Sequence, residues 1–147
     1  MDENVFYLKV AHTLSGCQLV EQQLKLYITQ ALDLARKCIG AKMTFTMCGE
    51  DYANSSLEQL IKIFKKLTAN QALAGELNRF KDERNFLSHE GITHCLDYEG
   101  ELVHSTAEEL KQGADSIQVE AERLCNVIHE EANKFRGHLW CDDVSEG

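Results

Sequence analysis

The sequence lacks proline altogether, whereas loop-rich and all-β proteins normally contain several. It contains no run of about 18 apolar residues, so no membrane-spanning helix and no contact with a membrane are expected. The first residues, Met1-Asp2-Glu3-Asn4, lack the basic start of a secretory signal. We therefore expect a soluble, cytoplasmic protein that is mostly helical.

The cysteines are dispersed, with no Cys-x-x-Cys pair among Cys17, Cys38, Cys48, Cys95, Cys125 and Cys141. Such spacing favours free thiols in a reducing compartment over a disulfide framework. His89-Glu90 followed by His94 resembles a zinc-protease motif but is one residue too long to place both histidines on one helix face. His138 and Cys141 form a single pair with no counterpart. The sequence predicts no metal site and no cofactor.

Charge of one sign dominates, because the formal net charge is −9. This argues against a broad basic surface that would grip nucleic acid through its phosphates, but it leaves room for a small local anion site. The acidic residues at the C-terminus are Asp142, Asp143 and Glu146. The basic residues gather in the middle of the chain: Lys62, Lys65, Lys66, Arg79, Lys81 and Arg84.

Apolar residues with a helical period predict a long first helix over about 4–38, either continuous or divided near Ser15-Gly16. Gly40 is expected to end it, since glycine adopts the left-handed conformation without a Cβ penalty. A connection over 41–54 follows. Ser55 or Ser56 then caps a short helix, whose predicted buried positions are Leu57, Leu60, Ile61, Phe64 and Leu67.

A third helix is predicted over about 70–90, ending at Gly91. Residues 92–104 are expected to form a small hairpin or irregular loop. Ser105 with Glu108, or Thr106 with Glu109, is predicted to cap the last long helix. Together these elements predict one all-α domain over residues 1–147, an up-and-down bundle of four to five helices. Its ordered core is expected over 1–138, with an acidic tail over 139–147.

Two charged residues interrupt the apolar faces. Glu21 shares the heptad register of Leu14 and Ile28, so it should face the interior and require a partner. One interpretation is a structural ion pair with a basic residue of a neighbouring helix; the other is that Glu21 orients the arginine or histidine of the third helix. Arg84 continues the apolar stripe of that helix, one turn after Phe80.

A polar stripe formed by Asn78, Asp82, Asn85 and His89 runs beside Arg84. Arg84 and His89 lie about 140° apart around a helix of 3.6 residues per turn, so the two do not stack. His89 falls in the last turn of the predicted helix, where backbone carbonyls favour the imidazolium. An arginine, an amide and a histidine are the groups that RNA cleavage without a metal requires.

The motif Glu83-Arg84-Asn85-x-x-x-His89, on the third helix of a small bundle, resembles the HEPN superfamily. The resemblance implies an all-α homodimer with paired motifs at its interface, and a metal-independent endoribonuclease in a toxin or defence role. It implies that Arg84, Asn85 and His89 are catalytic and that Glu21, Glu83 and Ser88 support them. Possible contacts to the RNA backbone are Lys81, Arg79 and Lys66.

RNA and an inhibitory partner protein are the expected partners. In toxin–antitoxin pairs of this superfamily, the partner modifies a tyrosine two residues after the histidine; here that position is Gly91, which does not fit such control. One alternative is a catalytically inactive HEPN-like module that binds a nucleotide or a protein. Another is a purely structural helical adaptor, in which the same cluster only satisfies buried polar groups.

Overall fold

Four α-helices account for most of this computed structural model, which describes the backbone of residues 3–96 and 102–140 and the side chains of residues 5, 7–90 and 111–139. No strand occurs within these ranges. The predicted all-α bundle is therefore confirmed. The helices are α1 (Glu3–Ile39), α2 (Leu57–Leu67), α3 (Gln71–Leu96) and α4 (Leu102–Trp140), with a short 3-10 helix at Gly49–Tyr52.

The long first helix is continuous across Ser15-Gly16, as one of the two predicted alternatives required. It ends where expected, because Gly40 adopts a left-handed φ of 58°. The Gly40 N–H donates to the carbonyl of Arg36 at 3.0 Å. The connection then folds back along α1, and a Cβ at Gly49 would overlap the Thr29 side chain. Glycine is the residue that permits this close approach.

Ser56 caps α2 through the reciprocal pair of hydrogen bonds that defines a capping box. Its hydroxyl accepts from the Gln59 N–H at 3.2 Å, and the Gln59 side chain accepts from the Ser56 N–H at 3.0 Å. The predicted buried face of α2 is confirmed for Leu57, Leu60, Ile61 and Phe64, while Leu67 is half-buried. This face seats α2 against α1 and α3.

The predicted boundary between the last two helices is wrong. α3 continues through Gly91 to Leu96, since one glycine inside a helix costs only about 1 kcal/mol relative to alanine. α4 begins at Leu102, so Ser105 and Thr106 lie inside the helix and not at its N-terminus. The hairpin prediction is wrong over 92–96 and 102–104, and its remaining residues lie outside the described chain. Residues 139 and 140 belong to α4, whereas the rest of the predicted tail is not described.

The two long helices run in the same direction. Thr13 near the start of α1 lies 3.4 Å from the Ala114 carbonyl, and Lys37 near its end donates to the His138 carbonyl at 2.6 Å. Residue numbers therefore increase in the same direction along both helices, whereas an up-and-down order of four helices would set the first and the last antiparallel. Within the described chain no helix is long and apolar enough to cross a membrane.

α3 runs against α4. Asn70, at the start of α3, donates to Glu131 at 3.2 Å, whereas Glu76, further along α3, pairs with Arg123 earlier in α4 at 3.3 Å. The core lies where α2 and α3 meet the pair of long helices. Its largest fully buried side chains are Phe64, Phe80, Leu24, Ile28, Leu60, Ile61, Leu73, Leu77, Leu87, Leu124, Ile128 and Val20.

Candidate functional site

Arg84 continues the buried face of α3 and meets Glu21 of α1. Phe80 and Leu87, one turn to either side, are each 1% exposed, so the Arg84 side chain leaves the helix beside the core. Its Nη2 lies 3.3 Å from Glu21 Oε1, with the two side chains 31% and 19% exposed. The ion pair supplies the partner that Glu21 needs at an interior position.

Asn85 is the second partner of Arg84. Arg84 Nη1 donates to Asn85 Oδ1 at 3.1 Å, so one guanidinium is held from both sides by Asn85 and Glu21. A guanidinium carries five N–H donors, and these two bonds engage two of them. The Arg84 side chain is 31% exposed, while its Nε is buried and has no hydrogen-bond partner within the described residues.

His89 lies on the exposed side of α3, about 140° around the helix from Arg84. The helix runs on to Leu96, so His89 is not in its last turn. The expected effect of the terminal carbonyls on His89 is therefore wrong, because that effect fades within one turn of a helix end. The fold brings Arg84, Asn85 and Glu21 together and leaves His89 on the neighbouring solvent-facing surface.

Other predicted site residues spread over three surfaces. Half-buried Ser88 and Lys81 lie on α3 between the directions of Arg84 and His89, and Lys81 Nζ is 3.6 Å from Asp82. Lys66 is exposed on α2 and Glu83 is exposed on α3.

Arg79 lies on the opposite side of Arg84, toward α4. The pKa of Glu120 in α4 is lowered chiefly by a hydrogen bond from Arg123 and, to a smaller extent, by the charge of Arg79. Arg79 is about 140° from Arg84 and about 80° from His89 around the helix. It therefore does not share the surface of Arg84 and is nearer in direction to His89.

Cys17 is a buried neighbour of the ion pair that the sequence reasoning did not single out. It is 0% exposed. Burial raises the pKa of its thiol to about 11, while the positive charge of Arg84 acts in the opposite direction. Its position four residues before Glu21, on the same helix face, was the available signal. Cys17 is therefore a buried, uncharged side chain on the interior side of the ion pair.

The Cys17 thiol predicts a loss of stability at high pH. The thiol titrates near 9.0 without the fold and near 11 within it, so between these values the unfolded chain has released a proton that the folded chain retains. The contribution of the neutral thiol to the free energy of unfolding is complete below pH 9 and is lost as the pH rises through 11. Two pKa units correspond to about 3 kcal/mol.

Urea denaturation at about pH 8, 10 and 11 checks this prediction. Cys17→Ala is expected to lose less stability between these pH values than the parent protein. Cys38→Ala is the matched control, because Cys38 is an exposed thiol near the end of the same helix. Equal losses in the parent and in Cys17→Ala would contradict the assignment.

No group of three His, Cys, Asp or Glu side chains in the described residues is arranged to hold a metal ion. His94 and Cys141, which belong to the two patterns considered for metal binding, lie outside the described side chains. The polar groups gathered at the site are instead an arginine, an amide and a carboxylate. Such a set suits the binding of an anion by the arginine and its orientation by the other two.

Comparison of the chain with protein-family models, with curated proteins and with solved structures returns no match. The class is therefore defined by the fold and site alone: an all-α bundle in which two long helices run in the same direction and a partly buried Arg–Glu pair joins α1 to α3.

Proposed function

We propose that this protein is a metal-independent endoribonuclease of the HEPN type, with a toxin or defence role. The observation that carries the proposal is the guanidinium of Arg84, held by Glu21 and Asn85 at a partly exposed position on α3. His89 follows on the same helix at the spacing of the motif. A positioned arginine beside an exposed histidine supplies the two functions that RNA cleavage needs.

In the proposed reaction the ribose 2′-oxygen attacks the adjacent phosphorus. A general base removes the 2′-hydroxyl proton, the O2′–P bond forms, and the bond from phosphorus to the 5′-oxygen breaks. A general acid returns a proton to that oxygen. The products are a 2′,3′-cyclic phosphate and a 5′-hydroxyl. His89 serves as base or acid, and Arg84 stabilises the charge that builds on the phosphorane oxygens.

A homodimer belongs to this proposal. Because Arg84 and His89 diverge by about 140°, a phosphate bound by Arg84 of one copy is best reached by His89 of the other. Phe86, on the same two turns of α3, is 62% exposed. It borders a groove of about 460 Å³ together with Glu83 of α3 and Ile117 of α4. Phe86 lies about 160° around α3 from Arg84 and about 60° from His89, so a contact between two copies at this groove would lie on the His89 side of the helix.

Cleavage of end-labelled tRNA and mRNA by the purified protein in EDTA tests the proposal. We expect fragments that end in 2′,3′-cyclic phosphates and begin with 5′-hydroxyls, since the chemistry uses side chains alone. Products with 5′-phosphates would indicate another reaction, because water would then be the nucleophile. A folded protein that cuts neither RNA, alone or after removal of a bound partner, would contradict the proposal.

One observation favours a second candidate, a catalytically inactive module of the same kind. The charge of Arg84 is already balanced by Glu21, and the chain carries a net charge of −9, so RNA would be attracted weakly. In that case Arg84 would hold a nucleotide or stabilise α3 against α1. Binding of a nucleotide that is lost in Arg84→Ala, without cleavage by the parent protein, would identify this candidate.

A further inference from the structure

The outer face of α1 carries a regular stripe of exposed side chains, here called the α1 seam. Its members are Val5, Leu8, His12, Ser15, Leu19, Gln22 and Leu26. They follow one another at alternating steps of three and four residues, which is the spacing of a coiled-coil contact. Leu8 is 70% exposed and Leu19 is 61% exposed. Side chains of this kind at this spacing are usually covered by another helix.

The α1 seam contains no charged residue, although the chain as a whole carries a net charge of −9. Of the charged residues close to it, Glu21 turns inward to Arg84, and Lys9 pairs with Asp115 of α4. Two acidic molecules repel one another wherever their charged faces meet. An uncharged stripe is a surface on which two copies can approach without that repulsion.

We infer that the α1 seam is the surface through which two copies of this chain pair, with their first helices antiparallel. A second copy brings a stripe with the same spacing. A two-fold axis through the seam, at the level of residue 17 along the helix, sets Leu8 against Leu26 of the second copy and Leu19 against Ser15. Large side chains then meet apolar or small ones, as knobs-into-holes packing requires.

The size of this face fits a dimer contact. From Val5 to Leu26 the seam is about 32 Å long at 1.5 Å per residue. A groove of about 580 Å³ adjoins it, bounded by Leu19 of α1 and by Ala121, Glu122 and Cys125 of α4, so one carboxylate borders this face. Together, α1 and the adjoining α4 are about 20 Å wide, so this face of one copy has an area of roughly 640 Å². Stable interfaces bury about 800 Å² per partner.

Pairing through α1 is independent of the proposed catalysis. Leu19 lies about 160° around α1 from Glu21, so the seam and the Arg84 face point in nearly opposite directions. A dimer formed through α1 leaves both motif faces open. A contact between motif faces would be a second interface, and loss of the α1 contact would halve the particle mass whether or not that second interface forms.

Sedimentation equilibrium of the full chain and of Leu19→Glu tests the inference. We expect Leu19→Glu to halve the particle mass at micromolar concentration, because it places two carboxylates in a desolvated contact. Met43→Glu is the matched control: Met43 is 62% exposed, so the substitution removes a similar apolar side chain and adds the same charge outside the α1 seam.

Leu8→Glu must give the same halving as Leu19→Glu, and circular dichroism must show that both variants stay helical. If one variant fails to fold, the mass of the other still shows whether the α1 seam is the contact between two copies. A parent protein that is monomeric at micromolar concentration, or an unchanged mass in folded Leu19→Glu, would overturn the inference. RNA cleavage is not part of the readout, so failure of this pairing and failure of the proposed ribonuclease are distinguished.

Discussion

His89→Ala is expected to lower the rate of RNA cleavage by about 10²–10⁴-fold, the range that a general acid or base contributes. The side chain is exposed on α3, so the substitution should change the free energy of unfolding by no more than about 0.5 kcal/mol. Loss of activity at unchanged stability distinguishes a catalytic histidine from one that only supports the fold. Single-turnover cleavage in EDTA and thermal denaturation measure the two quantities.

His138→Ala is the control for this prediction. His138 is also exposed, but it lies near the end of α4, and its described hydrogen bond uses the backbone carbonyl that the substitution retains. Its cleavage rate should equal that of the parent protein. If His89→Ala cleaves RNA normally, another group carries the proton transfer. If it instead unfolds several degrees earlier, the histidine belongs to a structural cluster, as in a helical adaptor.

Phe64→Ala is expected to lower the free energy of unfolding by about 3–5 kcal/mol, the usual cost of removing a buried phenyl ring. Phe64 is 0% exposed. Its ring contacts Tyr27 edge-on, with 4.7 Å between the ring centroids. Because α2 is only 11 residues long, it depends on this face for its place in the bundle. Urea denaturation measures the loss.

Phe86→Ala tests whether that cost comes from burial. The substitution is chemically identical, but Phe86 is 62% exposed, so a change within about 0.5 kcal/mol is expected. A loss of similar size in both variants would mean that Phe86 is covered in solution by a contact that one copy does not show. A small loss in Phe64→Ala would mean that α2 contributes little to the stability of the bundle.

Local chemistry made several elements readable from the sequence. Gly40 and Ser56 were correctly placed as the end of α1 and the cap of α2, because a helix end depends on a left-handed residue or a side-chain hydrogen bond close by in the chain. Gly91 and Ser105 were misread as helix boundaries. Both residue types are tolerated inside a helix at a cost of about 1 kcal/mol or less relative to alanine, so neither is decisive without its neighbours.

Some features of the candidate site could likewise be predicted from the sequence, and others could not. The sequence indicated that Glu21 faces the interior and that Arg84 extends an apolar stripe, since heptad position follows from the helical period alone. It left open which residue Glu21 meets, because 63 residues separate it from Arg84. The burial of Cys17 beside the ion pair and the different surfaces occupied by Arg79 and Arg84 were also undecided. The up-and-down order expected from the sequence would set the first and last of four helices antiparallel, whereas α1 and α4 run in the same direction.

By itself, then, the sequence determined the helical class, most helix faces and the residue types of the candidate site. Only the tertiary structure decided that Glu21 and Arg84 pair, that His89 stays at the surface and that the α1 seam remains uncovered within one copy. The physical reason is the difference in the sequence separation over which these interactions act. Helical period and capping act over about four residues, whereas the packing of helices distant in sequence selects which of several apolar or charged faces meet.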